Sequence, residues 1–493
     1  MNFNSLHFLI FLPVVLLLYW LLPHKFRWVL LLLASYYFYM SWNAWLVFAI
    51  LGTTLISYIA AILIERTKSR KIKKLLLTLT AVVSLGLLIY FKYFNFIIQS
   101  AVDFLNMFSM NIESHSLDII LPVGISFYTF QTLSYVIDVY KCKCKAEKHI
   151  GYYALYVCYF PQLVAGPIER ACDLLPQLKT EHHLTMDDFD VGFRIMLTGF
   201  FRKCVVADFC GIFVNNVFGN LDNATGISVF VASGLFCIQM YCDFAGYSEI
   251  AMGCARMMGV RLTRNFNRPY LAQSYTEFFR RWHITLNRWF TDYVYIPLGG
   301  SKKGKKRKLL NILIVFALSG LWHGANWTYL LWGLYAGIWV CVENILKKPV
   351  MSYICKKNID ISSPVIVWLR RSVMFLVFIP AALIFRAENV AQIWEALSKI
   401  VVISIPQTIE VLGIDAGKIF MLAMCFACMC FIYYLGEYKP HQKAFVSIEN
   451  KSAGVAVKNK VVFVSIIAVL VIELMWVALL KSGDVTTFQY FQF

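Results

Sequence analysis

Six stretches of this chain, 5–22, 44–64, 75–94, 366–386, 417–435 and 461–480, are each close to the roughly 20 consecutive apolar residues that cross a bilayer. Lipid offers backbone N–H and C=O groups no partner, so such stretches fold as helices. Of the 493 residues, 59% are hydrophobic and only 15% are charged, which excludes an ordinary soluble domain. The expected fold class is an all-α polytopic membrane protein, with about 11 transmembrane helices plus re-entrant and amphipathic helices around a central cavity. Segment 5–22 has no basic leader and no small-residue cleavage site, and more spans follow at once, so it is expected to remain as a span.

The net charge of +18 gathers in short clusters. Arg66, Lys68, Arg70, Lys71, Lys73 and Lys74 form one, and Lys302, Lys303, Lys305, Lys306, Arg307 and Lys308 another. Lys347, Lys348, Lys356 and Lys357 form the third. Basic loops stay in the cytoplasm, which orients the chain with 66–74, 302–308 and 347–357 inside and 95–118 outside. This pattern is that of membrane topology rather than of a nucleic-acid face, and no nucleic-acid partner is expected. Fourteen cysteines are spread through apolar spans or, as Cys142 and Cys144, in a basic run placed in the cytosol. None has zinc-finger spacing, so reduced thiols and no metal are expected.

Several regions do not read as clean spans. Residues 160–170 carry two prolines and a glycine and must bend. His182 and His183 near Asp187, Asp188 and Asp190 read as a solvated helix entry, with Thr185 and Asp188 spaced as in a capping box before a span at 191–215. Residues 246–300 mix Arg256, Arg261, Arg264, Arg268, Arg280, Arg281 and Arg288 with aromatics, which suits amphipathic or re-entrant helices lining a cavity. Asp138, Asp243 and Glu249 lie in apolar surroundings, where pairing with arginines or backbone N–H groups is the expected role. From the lysine loop, 309–322 rises, breaks near His323, and 325–346 returns.

Two histidines stand out. His323 has no charged neighbour for more than ten residues on either side, and an ionisable group at that depth is costly when unsupported. Gly320 and Gly324 allow a helix break beside it. Residue types alone leave two readings open: a neutral histidine bonded to a backbone carbonyl at a helix end, or a catalytic group. His283 lies about forty residues earlier. On a continuous helix, Arg280, His283 and Asn287 would share one face through i, i+3 and i+7 spacing. It reads either as an interfacial histidine among arginines or as the helper of a general base. Imidazole is the usual group for taking a proton from a hydroxyl near neutral pH.

The motifs Leu121–Gln131, Tyr135–Tyr140, Phe160–Ile168, Tyr241–Ser248, Arg281-Trp282-His283, Tyr295–Gly300 and Leu321–Trp327 occur in an order that resembles the membrane-bound O-acyltransferases. The similarity is to the branch that acetylates alginate or D-alanylates teichoic acid. The resemblance covers residues 1–346, expected as a catalytic core, with 347–493 as C-terminal helices completing the same domain. It implies that His323 is the catalytic histidine and His283 the second active-site position. It also implies that an acyl group leaves a cytoplasmic thioester and appears on a hydroxyl outside the bacterial cytoplasmic membrane. Arg280, Arg281, Arg288 and Asn287 are then candidates to hold the phosphates of the donor, unless the arginines only reflect positive-inside bias and lipid headgroups.

Acetyl-coenzyme A is the preferred donor, as a substrate rather than a resident cofactor. D-alanyl transfer from a carrier protein is the alternative. The expected acceptor is a polysaccharide or an extracytoplasmic SGNH-type acetyltransferase partner. A transporter would show matching broken spans in two halves, and none is seen. A scaffold would not need both histidines.

Overall fold

The computed structural model describes residues 1–113 and 116–431. His115, the span at 461–480 and the end of 417–435 lie outside the described residues. Among the described residues every regular element is a helix. Among the described residues five helices are long and apolar enough to cross a membrane: Ala44–Arg66, Arg70–Asn106, Gly226–Met257, Trp327–Lys356 and Pro364–Arg386. Ile405–Leu412 and Ala416–Cys430 meet at 73° as a bent pair, and Leu6–Leu21 is a shorter apolar helix. The all-helical, polytopic expectation holds.

Helix ends depart from the sequence reading in three places. The segment read as an outer loop from residue 95 is helical to Asn106, because a π turn at Ile89–Tyr93 carries the helix onward instead of ending it. The helix after His323 does not stop at residue 346. It runs to Lys356 with Pro349 inside it, so Lys347, Lys348 and Lys356 lie on the helix rather than in a loop. Its true stop is Asn358, in the left-handed region at φ 50°, where asparagine is tolerated. The segment 191–215 is two helices, Met186–Phe200 and Asp208–Phe218, joined by a π turn at Phe201–Ala207 that carries buried Arg202 and Lys203.

The turn between Ala44–Arg66 and Arg70–Asn106 is short, and the Ser69 hydroxyl caps the second helix by accepting from the Ile72 N–H. Arg70 and Lys71 sit in its first turn, where cations oppose the helix dipole. The entry at 185–188 is capped as expected, Asp188 N–H donating to Thr185 Oγ1 at 3.1 Å. His182 and the nearby acids pair separately: His182 with the Gln177 carbonyl, Asp188 with Arg256, Asp190 with Arg194.

By packing, the chain divides into two compact units. One is Met1–Leu197 with Tyr247–Val390, and the other is Thr198–Gly246 with the described residues from Ala391. In the second unit the Lys203 ammonium is buried between Asp243 at 2.6 Å and Asp208 at 3.0 Å. Asp243 is therefore paired as expected, with a lysine rather than an arginine. In the first unit Asp138 accepts from the Tyr293 hydroxyl at 2.7 Å. Both histidines belong to this first unit.

Candidate active site

His323 is the last residue of the helix Lys305–His323. A helix ends with four carbonyls that lack intrahelical partners. Here a π turn of the Arg70–Asn106 helix supplies partners for three of them. Lys92 Nζ donates to the Trp322 carbonyl at 2.7 Å and to the His323 carbonyl at 2.9 Å. The Tyr93 hydroxyl donates to the Leu321 carbonyl at 2.7 Å. A cation at a helix C-terminus also meets the negative end of the dipole.

The next helix, Trp327–Lys356, packs backbone to backbone against this one. A Cβ on Gly320 would strike the Tyr329 carbonyl oxygen, and one on Gly333 the Phe316 carbonyl oxygen. Gly320 thus serves close packing rather than a break. Gly324 does cap the helix, but in extended backbone at φ −160° that any residue adopts. Its lack of a side chain makes room for the Tyr329 ring. Asn326 then starts the next helix, its side chain accepting from the Thr328 N–H at 3.1 Å.

His283 is positioned differently from expectation. Arg280, His283 and Asn287 do not share one helix face, because the helix is broken between them. Tyr275–Arg281 ends, His283 sits in the left-handed region at φ 46°, and Ile284–Phe290 begins. Such a conformation is costly for a non-glycine residue and clusters at functional sites. Asn287 secures the break. Its amide donates to the carbonyls of Phe279 at 2.7 Å and Trp282 at 2.6 Å.

Buried Asn265 secures the ring. Its Oδ1 lies 3.1 Å from His283 Nδ1, 3.3 Å from Thr285 N and 3.0 Å from Thr285 Oγ1. The Thr285 N–H can only donate, so this atom is the acceptor oxygen and His283 Nδ1 carries the hydrogen. In the neutral imidazole, Nε2 is then the basic nitrogen.

Both rings are buried, His283 at 2% and His323 at 7% exposure. Their centroids lie 6.4 Å apart, with Trp322 at 5.7 Å from one and 5.1 Å from the other. Trp332 at 5.1 Å and Phe385 at 5.4 Å present against His323, and Phe127 and Phe130 pack on Trp322. The walls are aromatic, and such low-dielectric surroundings strengthen any electrostatic interaction inside. A cavity of about 140 Å³ opens beside His323, walled by Lys92, Gly124, Ser126, Phe127 and Trp322 among others.

The remaining candidates do not join this cavity wall. Arg280 and Arg288 are exposed, and Arg281 pairs with Glu277 at 2.6 Å. Glu169 and Arg170, at the end of the bent segment 160–170, bond to Thr263 and to Asp292. Two residues at the site escaped the sequence reading. Lys92 carried a usable signal, an ionisable residue inside an apolar span. Asn265 carried none, since only the fold brings it to His283.

The sequence pattern of the MBOAT, membrane-bound O-acyltransferase family matches residues 147–384. The chain is 38% identical over 398 residues to a probable alginate O-acetylase of Pseudomonas aeruginosa, covering 80% of this chain and 74% of that protein. It is 32% identical over 424 residues to a peptidoglycan O-acetyltransferase of Helicobacter pylori, covering 79% and 78%. A teichoic acid D-alanyltransferase of Bacillus subtilis is more distant, 26% identical over 247 residues and covering 46% and 60%. Similarity over four-fifths of the chain to O-acetylating enzymes, beside two buried histidine rings of which one lines a small cavity, makes this chain a member of the membrane-bound O-acyltransferase family and an acyltransferase.

Proposed function

We propose that this protein moves an acetyl group from acetyl-coenzyme A, on the cytoplasmic side of the bacterial cytoplasmic membrane, to a hydroxyl of a cell-envelope polysaccharide or of an extracytoplasmic SGNH-type partner. The observation that carries the reading is His323, fixed at a helix end and opening onto the 140 Å³ cavity. His323 is the general base. It takes the proton of the acceptor hydroxyl as that oxygen attacks the thioester carbonyl carbon, a service worth about 10²–10⁴-fold. His283, held by Asn265 with Nε2 basic, orients the reacting groups. The exposed Arg280 and Arg288 meet the donor's phosphates. Arg281 and Asn287 hold the helix break that presents them.

The cavity favours a small acyl group. Its volume of about 140 Å³ has room for a two-carbon acyl group. Lys92 in its wall argues for acetyl over D-alanyl, because a D-alanyl thioester brings an ammonium of its own.

Purified protein supplied in turn with acetyl-coenzyme A and with a D-alanyl carrier-protein thioester, beside alginate and peptidoglycan oligosaccharides, tests the donor. Consumption of acetyl-coenzyme A with acetylation of a glycan is expected. Consumption of the D-alanyl thioester alone would reverse the assignment.

A further inference from the structure

Lys92 has one donor to spare. Its ammonium carries three N–H groups, and among the described residues two of them are used, by the Trp322 and His323 carbonyls. The same side chain forms part of the wall of the cavity onto which His323 opens. It projects from a π turn, and single-turn π segments inside α-helices recur at functional sites. The two carbonyl bonds tie the amine to the backbone of the residue that carries the base. Donor and base are therefore set in one frame, with nothing left to reorganise when charge develops between them.

We propose that Lys92 is a catalytic residue that binds the acyl carbonyl oxygen and stabilises it as an oxyanion. This rests on the acyl-transfer reading above. In the step concerned, the acceptor oxygen forms a bond to the acyl carbon while the carbonyl π pair moves onto its oxygen. The hydroxyl proton passes to His323. On collapse the C=O bond re-forms, the C–S bond breaks, and the thiolate leaves with the proton from the imidazolium. The third Lys92 N–H serves the oxygen that gains and then returns the charge.

Helix capping is the competing role, and Tyr93 separates the two. Tyr93 caps the same helix end through the Leu321 carbonyl. Lys92→Met and Tyr93→Phe each remove a cap, but only the first removes a donor from the cavity. Removing one oxyanion donor typically costs roughly 10²–10³-fold in kcat. With acetyl-coenzyme A and the oligosaccharides above, Lys92→Met is expected to lose that much kcat with the donor KM within about threefold. Tyr93→Phe should keep kcat within about threefold of the parent, these bounds being small beside the donor effect.

Equal and minor kcat changes in the two folded variants would overturn the assignment and leave Lys92 as a cap. If Lys92→Met does not insert, Lys92→Arg retains the charge and the carbonyl bonds while displacing the third donor. Lowered kcat at an unchanged melting temperature then supports the proposal, and parental kcat overturns it. His323→Gln run alongside keeps the two ideas apart. If it transfers acetyl as the parent does, the base assignment of His323 fails, and if the parent itself transfers no acetyl, the acyl-transfer reading fails. If it is inactive while Lys92→Met is not, only the oxyanion assignment fails.

Discussion

Asn265 offers one carboxamide oxygen to the His283 ring and to both donors of Thr285. Asn265→Leu keeps the approximate volume and removes the acceptor, stranding buried donors that each cost about 1–3 kcal/mol when unsatisfied. It also releases the imidazole from its Nδ1–H tautomer. Turnover should fall at least about tenfold, the equivalent of roughly 1.4 kcal/mol in the barrier, with little change in KM. Steady-state kinetics on the folded variant checks this, and parental kcat would remove His283 orientation from the mechanism.

Residue chemistry explains what was legible at this scale. His323 announced itself because a lone titratable group in an apolar run has few structural excuses. His283 stood out through its chemistry as a candidate, but the helical-face argument that linked it to Arg280 and Asn287 failed. Spacing rules assume an unbroken helix, and His283 sits at φ 46° between two short ones. Lys92 was readable by the same logic as His323 and was absorbed into an apolar span instead.

The helix pair Lys305–His323 and Trp327–Lys356 is the element that sets the site. Its contact passes through Gly320 and Gly333, whose Cα atoms approach so closely that a Cβ on either meets backbone of the partner helix. Gly320→Ala should therefore destabilise the pair by about 1–3 kcal/mol, the usual cost of overpacking. It should also shift His323, so activity should fall more than the melting temperature indicates. Thermal unfolding and turnover on the same preparation test it. An unchanged melting temperature and full turnover would show that the helices have slack the structure does not.

Hydropathy located most of these helices, because burial in lipid demands long apolar runs. It missed their ends where the stop is local chemistry. The π turn at Ile89–Tyr93 extends one helix to Asn106, and no cap appears after residue 346 until Asn358.

At the scale of the whole molecule, the polytopic helical class followed directly from the six apolar stretches. The division into packed units did not, since Thr198–Gly246 joins residues from beyond Ala391 rather than its neighbours in sequence. Long-range packing of that kind leaves no local trace in composition.

In the proposed transfer an acetyl group crosses the membrane through one chain to a hydroxyl whose proton His323 accepts. Proteoliposomes holding the oriented protein, with labelled acetyl-coenzyme A on the cytoplasmic face and oligosaccharide acceptor on the other, measure this directly. The parent should deposit label on the acceptor and release coenzyme A on the donor side. His323→Gln keeps hydrogen bonding and approximate volume but cannot accept the proton, so transfer should drop by at least about 10²-fold while insertion and donor binding persist. Near-parental transfer by the His323→Gln protein would contradict the account.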